Sequence, residues 1–251
     1  MKAESTLIRG NRRVALVLTA TIDPGGMRFV SRRTPEVRFM DYVRSLRKWV
    51  RTASLFQSIL WIENSGHRLA EAIKNEFGNV VQVVSFAGNN YSRDLGKGYG
   101  EALILEKAGS VLRSVGDAEY VLKCTGRLYY KNANDLVAVL RQGPDMVVRL
   151  SRDLAFADSR VFAIRLNLLE TLMEGFKTEV NDCAGTFFEH VLARHVLSLA
   201  ARGYRVHPFP SPPLLEGWSG SSGERIRAGL LDPRNMLRRV AYGVAGRLKY
   251  I

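Results

Sequence analysis

Two hydrophobic periods alternate along the chain. VALVLTATI (14–22) is an unbroken apolar run stopped by Asp-Pro-Gly-Gly, which predicts a buried strand. The run follows basic residues and so mimics a secretion signal, but its β-branched content and its Pro-Gly stop favour the strand. In PEVRFMDYVRSLRKWVRTASLF (35–56), Val37, Met40, Val43, Leu46, Val50 and Ala53 recur every three to four positions, which predicts a helix. Arg44, Lys48 and Arg51 form a basic stripe on another of its faces. The same reading gives a strand at 58–64, a helix at 67–77 and a strand at 80–86. A glycine-bearing loop that feeds a long helix follows at 88–112, then a strand in YVLKCTGRLYY (120–130) and a short helix at 132–140.

Strands alternating with helices through residue 140 imply βαβ units and a parallel sheet. The second half is more mixed. It predicts a strand pair at 145–150 and 159–166, helices at 168–176 and 186–203, and a last strand at 204–210. The fold class expected is therefore α/β, with a Rossmann-type mixed sheet that is mostly parallel in its N-terminal half and flanked by helices. SPPLLEGWSGSSGE (211–224) is rich in Pro, Gly and Ser yet carries Leu214, Leu215 and Trp218, so it reads as an ordered loop over a site. In the last 20 residues Asp232 suits an N-cap and Pro233 the first helical position. Leu237, Val240, Ala241, Val244 and Leu248 form one apolar stripe there, against five basic side chains. That is a basic amphipathic C-terminal helix, which either lies in a membrane interface or docks on the body. Three units follow: a basic N-terminal segment (1–13), a body (14–225) and a basic tail (226–251).

Charge sharpens this division. The formal net charge is +13. Residues 1–13 carry +3, residues 24–52 carry +6 and residues 232–251 carry +4, so the remainder is neutral. A neutral body with basic segments suits an anionic surface, either a membrane leaflet or a nucleic acid. No apolar run approaches the ~18 residues of a spanning helix. Cys124 and Cys183 are the only cysteines and form neither a disulfide framework nor a metal spacing, which suits reduced thiols in a cytoplasmic protein. The four histidines contain no HExxH-like pair.

In open α/β sheets, ligands bind beyond the C-terminal ends of the parallel strands. The first strand end offers Thr19, Thr21 and Asp23, and the second Glu63, Asn64 and Ser65. The third offers Asn89, Arg93 and Lys97, and the fourth Lys123, Thr125 and Arg127. RDLGKGYGE opens a helix whose N-terminus favours an anion, so Lys97, Lys123 and Arg127 could converge on one diphosphate. It matches neither a phosphate-binding GxxxxGK[ST] loop nor a GxGxxG fingerprint.

The order of these motifs resembles that of GT-A glycosyltransferases, in particular bacterial enzymes that build surface polysaccharide and lipopolysaccharide. LTATIDPG, WIENSG, GKGYGEALIL, KCTGRLYY and EGWSGSSG carry the resemblance over roughly residues 12–225. The resemblance implies a GT-A-like catalytic domain that moves a sugar from a nucleotide-sugar donor to a saccharide or lipid-linked acceptor at the inner membrane face. It implies that Thr19 and Thr21 line the base and that Glu63, beside Asn64, holds the ribose or base. The remaining donor contacts would come from Arg93, Lys97, Lys123, Thr125 and Arg127. Family members usually carry an Asp-x-Asp metal motif after the fourth strand. Cys124-Thr125-Gly126-Arg127 stands there, so a divalent Mn or Mg cofactor is in doubt and cations of the protein could replace it. Asp158, in FADSRVF, is a partial substitute or one half of a turn salt bridge. An inverting transfer needs a general base, and Glu189, Asp182 and His190 stand at the helix opening where the family often keeps one. Trp218, Ser219 and Ser221 would close over the donor or present the acceptor. The alternatives are a basic nucleic-acid-binding protein, though no such motif is present, and another nucleotide-binding α/β transferase.

Overall fold

The structure, a computed structural model, describes residues 13–116 and 118–227. The basic segment before residue 13 and the amphipathic helix expected over 232–251 lie outside the described residues. Ten strands and seven helices follow in chain order among the described residues. β1 (Val14–Ala20), β2 (Ser58–Glu63), β3 (Gln82–Ser85), β4 (Tyr120–Thr125), β6 (Met146–Val147), β7 (Val161–Arg165) and β8 (Val206–His207) form one seven-stranded sheet in the order β3-β2-β1-β4-β7-β6-β8. β3, β2, β1 and β4 run parallel. β7 is antiparallel to both β4 and β6, and β8 is parallel to β6. The fold class is thus the mixed, mostly parallel α/β sheet that the alternating pattern predicts.

The sheet is buried on both faces, which explains the unbroken apolar run of β1. Val14, Leu16, Leu18 and Ala20 pack into one core with α1 (Pro35–Val50), α2 (Leu69–Phe77) and α4 (Ala133–Leu140). Ala15 and Val17 pack into the other with α3 (Gly96–Val115), α5 (Leu166–Met173) and α7 (Phe188–Ala201). Strand side chains alternate between faces, so one strand feeds two cores. α6 (Phe176–Glu179) is a single turn on the second face. No helix among the described residues is long and apolar enough to cross a membrane.

Four local expectations change. YVLKCTGRLYY is two strands: β4 ends at Thr125, and after a turn at Gly126-Arg127 the chain enters β5 (Leu128–Tyr130). β5 belongs to a second sheet with β9 (Leu215–Trp218) and β10 (Arg225–Arg227), so the expected 211–224 loop is largely a hairpin. Gly126 makes the turn possible, because a Cβ there would stand 2.8 Å from the Thr19 carbonyl oxygen. α3 begins at Gly96, so Gly96, Gly98 and Gly100 lie in its opening turns, not in the loop before it. The last strand shrinks to two residues. The basic stripe of α1 is partly spent: Lys48, with Lys131, pairs with Glu216 of β9 and ties the small sheet to the helix.

Candidate active site

A cleft of about 260 Å³ opens at the C-terminal ends of β1 and β4. Its walls come from the loop after β1, α1, the start of α3, the β4–β5 turn, the start of α7 and the β9–β10 turn. Thr19 and Thr125 are register partners on adjacent parallel strands, so both stand at the floor.

Of the residues expected at a site, Thr19, Thr21, Lys97, Thr125, Arg127, Asp182, Glu189, Trp218, Ser219 and Ser221 line this cleft. The rest do not, for identifiable reasons. Glu63 is fully buried beneath it. Its carboxylate accepts from the Ile22, Ser65 and Gly66 amides and from the Ser65 and Ser85 hydroxyls, which leaves nothing for a ribose. Asn64 is likewise structural, accepting from Thr21 Oγ1 at 2.6 Å and donating to the Gly100 carbonyl. Arg93 packs outside, donating to the Asn89 carbonyl. Lys123 is wholly buried: its Nζ meets Glu101 Oε1 at 2.6 Å and also the Ser159 carbonyl and Thr125 Oγ1. Asp158 is gripped by both the Nε and Nη2 of Arg160. Burial opposes ionisation of Asp158, but this fork outweighs it and holds the carboxyl below its ordinary value. Of the two readings of Asp158, the turn salt bridge describes the geometry. His190 accepts from the Phe187 amide through Nδ1 and meets Phe156 edge-to-face, outside the cleft lining.

The α3 N-terminus also differs from expectation. It is already occupied by a carboxylate of the protein. Asp182, carried in from the 182–184 turn, accepts the Lys97 amide through Oδ2 at 3.0 Å. Burial raises its pKa, opposed by the nearby Lys97 charge and the helix amides. What remains free on this wall is the Lys97 side chain, which reaches Ser221 Oγ on the β9–β10 turn. The same turn crosses the Arg127 guanidinium at Gly220. Both cations therefore lie under one strap, which is pinned to the loop after β1 by the Ser31 amide and hydroxyl bonding the Gly220 and Ser221 carbonyls.

Five buried side-chain polar atoms among the described residues have no partner. Three of them, Asn89 Oδ1, Arg127 Nε and Asp182 Oδ1, belong to cleft-lining residues. Unpaired buried polar groups are costly, so these three atoms need water or a polar ligand in the cleft. Arg127 is aimed by Tyr42, whose hydroxyl accepts its Nη1 at 3.0 Å. The same hydroxyl accepts the Thr21 amide and donates to the Thr21 carbonyl. Arg38 braces the Thr21 carbonyl as well. Glu189, on the first turn of α7, accepts from Ser159 Oγ at 2.7 Å, and none of the described ion pairs uses it.

Sequence reading missed Arg38, Tyr42, Tyr91 and Glu101, all cleft residues, and of the triplet Asp158-Ser159-Arg160 it favoured Asp158, whereas Ser159 and Arg160 are the two that line the cleft. The face of α1 that is buried carries Arg38, Asp41, Tyr42 and Ser45, whereas Val37 and Met40 of the expected apolar stripe are exposed, so the stripe did not point to Arg38 and Tyr42. Two carboxylates at or near the cleft are already held by cations of the protein. Asp158 is held by Arg160 and Glu101 by Lys123, and no group of three metal-ligating side chains converges among the described residues.

No family model matches the chain. No curated protein matches it either. Solved structures do. A protein described as a nucleotide-diphospho-sugar transferase, from Desulfovibrio desulfuricans G20, is similar at 13% identity over 78% of this chain and 79% of that one, with a TM-score of 0.49. A mannosyltransferase from Pyrobaculum calidifontis, solved with GDP-mannose and Mn²⁺, is similar at 11% identity over 94% of this chain and 66% of that one, with a TM-score of 0.49. A cytidylyltransferase from Leptospira borgpetersenii is similar at 12% identity over 95% of both chains, with a TM-score of 0.48.

Proposed function

We propose that the protein is a GT-A-type glycosyltransferase that takes its donor as a nucleotide sugar and uses its own cations on the diphosphate. The observation that carries this reading is Arg127: a guanidinium at the end of the fourth parallel strand, aimed by Tyr42 and with a buried Nε that no protein group satisfies. Lys97 under the same strap supplies the second charge. A planar fork beside a flexible ammonium suits a diphosphate, because the fork binds two oxygens while the ammonium follows the charge as it develops. Thr19, Thr21 and Asn89 offer hydroxyl and amide groups for the nucleoside.

In the reaction the acceptor hydroxyl attacks the anomeric carbon. Its proton passes to Glu189, the bond from that carbon to the diphosphate oxygen breaks, and the electron pair leaves with the diphosphate held by Arg127 and Lys97. Ser159 orients Glu189 for this role. Asp182 serves differently: it fixes the start of α3 and with it Lys97. Trp218, beside Ser219 and Ser221, gives the mouth a flat face for a sugar ring, though Arg32 stacks over it at 4.3 Å. The basic segments read from sequence support work on a saccharide or lipid-linked acceptor of a cell-surface polysaccharide, at an anionic leaflet.

The test is a thermal-shift series with UDP-, GDP-, CMP- and dTDP-sugars, each with and without Mn²⁺. One donor is expected to raise Tm equally in both conditions, and Arg127→Ala to abolish the rise without lowering the unliganded Tm. No response to any donor overturns the reading. Pyrophosphate released from a nucleoside triphosphate would assign nucleotidyl transfer instead.

A further inference from the structure

Among the described residues, two non-glycine residues adopt a positive φ: Phe29 at 56° and Leu154 at 61°. Sterics disfavour this region for bulky side chains, and strain of this kind collects at functional sites. Both residues are also exposed, Phe29 at 52% and Leu154 at 47%. A strained backbone that holds an apolar side chain out in water gains nothing from core packing.

The two residues share one rim. Phe29 packs edge-on against Phe187 at 5.9 Å. Phe187 in turn meets His190 at 5.6 Å, and His190 meets Phe156, itself 41% exposed, at 5.0 Å. Loops 27–33 and 151–156 therefore meet over the first turn of α7, the turn that carries Glu189. Met27 and Val30 on either side of Phe29, and Phe188 beside Phe187, line the cleft. The apolar rim is thus the lip of the cleft.

Charge selects the occupant. Residues 24–35 hold Arg28, Arg32 and Arg33 and no acidic residue after Asp23. Arg28 and Arg33 are exposed, Arg28 leaning on Cys183 and Arg33 on the Val30 carbonyl. Arg149, Arg152 and Arg160 flank the second loop, against Asp153 and Asp158. Exposed aromatic and leucine tips set among arginines match the interface of an anionic bilayer, where rings enter the headgroup layer and arginines meet phosphates.

We propose that this lip, formed by Phe29, Leu154 and Phe156 with Arg28, Arg33 and Arg152, docks the mouth of the cleft onto an anionic lipid surface. Docking there turns Glu189 toward the membrane, where an acceptor carried on a lipid would present its hydroxyl. The surface itself stands on the rim geometry; its use in catalysis rests on the glycosyltransferase reading.

The test is co-sedimentation of the full chain with phosphatidylglycerol-rich vesicles and with neutral phosphatidylcholine vesicles. Wild type is expected to bind the anionic vesicles only. Phe29→Ser/Phe156→Ser and Arg28→Glu/Arg33→Glu are each expected to weaken binding by about tenfold or more. Circular dichroism melts matching wild type establish that the variants fold. Phe156→Trp provides a second measurement: its emission should be quenched by brominated acyl chains beyond the quenching of native tryptophans. Absence of vesicle binding by wild type overturns the proposal. Wild-type partitioning by both rim variants, or no added quenching at position 156, assigns docking elsewhere and also overturns it. Nucleotide-sugar binding is measured without vesicles, so the donor reading and this one fail separately.

Discussion

Replacing Lys123 by methionine separates a structural cation from a ligand-binding one. Lys123 lies at the floor of the cleft but inside the protein, with its side chain 1% exposed and Nζ 2.6 Å from Glu101 Oε1. Methionine fills a similar volume, so packing changes little. It leaves the Glu101 carboxylate with only the Thr19 hydroxyl at 2.9 Å, and the Ser159 carbonyl without its donor. Breaking a buried pair by removing one partner costs 3–5 kcal/mol, and because Glu101 is 24% exposed we take the low end, about 3 kcal/mol. For a chain of this size that lowers Tm by roughly 6–12 °C. Adding Glu101→Gln removes the stranded charge and should recover more than half of the loss. Differential scanning calorimetry measures both effects, and donor-induced thermal shift measures binding on the same samples. Folded Lys123→Met is expected to keep its donor response. A Tm within about 2 °C of wild type together with lost donor binding would refute the reasoning, since Lys123 would then be touching the diphosphate.

Three further outcomes are expected. Burial pushes the Cys124 thiol up to about 12, while Cys183 is exposed, so a thiol reagent at neutral pH should titrate one cysteine in the native protein and two in guanidinium. Gly96 has φ +76° and a Cβ there would overlap the Asp182 carboxylate, so Gly96→Ala should cost at least about 2 kcal/mol in urea unfolding; an unchanged midpoint would dismiss the Asp182 anchor. Asp158 has a depressed folded-state pKa, so its pair with Arg160 contributes stability above the unfolded carboxyl value and loses it as pH falls through the folded one. Asp158→Asn should therefore cost about 1 kcal/mol at neutral pH, Arg160 being half exposed, and flatten the acid limb of a Tm–pH curve; a parallel curve would contradict this.

The sheet was readable because its physics is local. Each β-strand of the first half is a short apolar run stopped by a turn, and α2 and α4 bury the stripe their spacing predicts, whereas α1 exposes Val37 and Met40 and buries Arg38, Asp41, Tyr42 and Ser45 instead. The second sheet was not readable, because β5, β9 and β10 are three or four residues long and β5 pairs with β9 across some 90 positions. Periodicity needs a longer window than that. The split of YVLKCTGRLYY was hidden for a related reason: Gly126 between two short apolar runs reads as a bulge or a turn with equal justice, and only the approach of the Thr19 carbonyl decides.

Within the candidate site, strand parity explains which expectations the geometry keeps. Both cations of KCTGR stand near a strand end, and nothing in their type distinguishes them. Position does. Tyr120, Leu122 and Cys124 point to the α1 face of β4, so Val121 and Lys123 point to the α3 face, where Glu101 waits one turn into the helix. The central strands of a sheet covered on both sides are buried almost to their last rung, as β1, β2 and β4 are here, so a cation two residues before the end needs a partner inside. Arg127 comes after the Gly126 turn, where the chain has left the sheet and the next surface is the cleft. The same rule separates Glu63, the last rung of β2 and wholly consumed by the loop that caps it, from Thr21, one residue beyond the end of β1 and open to the cleft. For an open α/β sheet, then, polarity near a strand end is a weak guide to ligand contact. Polarity beyond the last hydrogen-bonded rung is a better one, as Arg127 shows, but not a sufficient one: Asn64, one residue past β2, is buried and spent on Thr21 and Gly100.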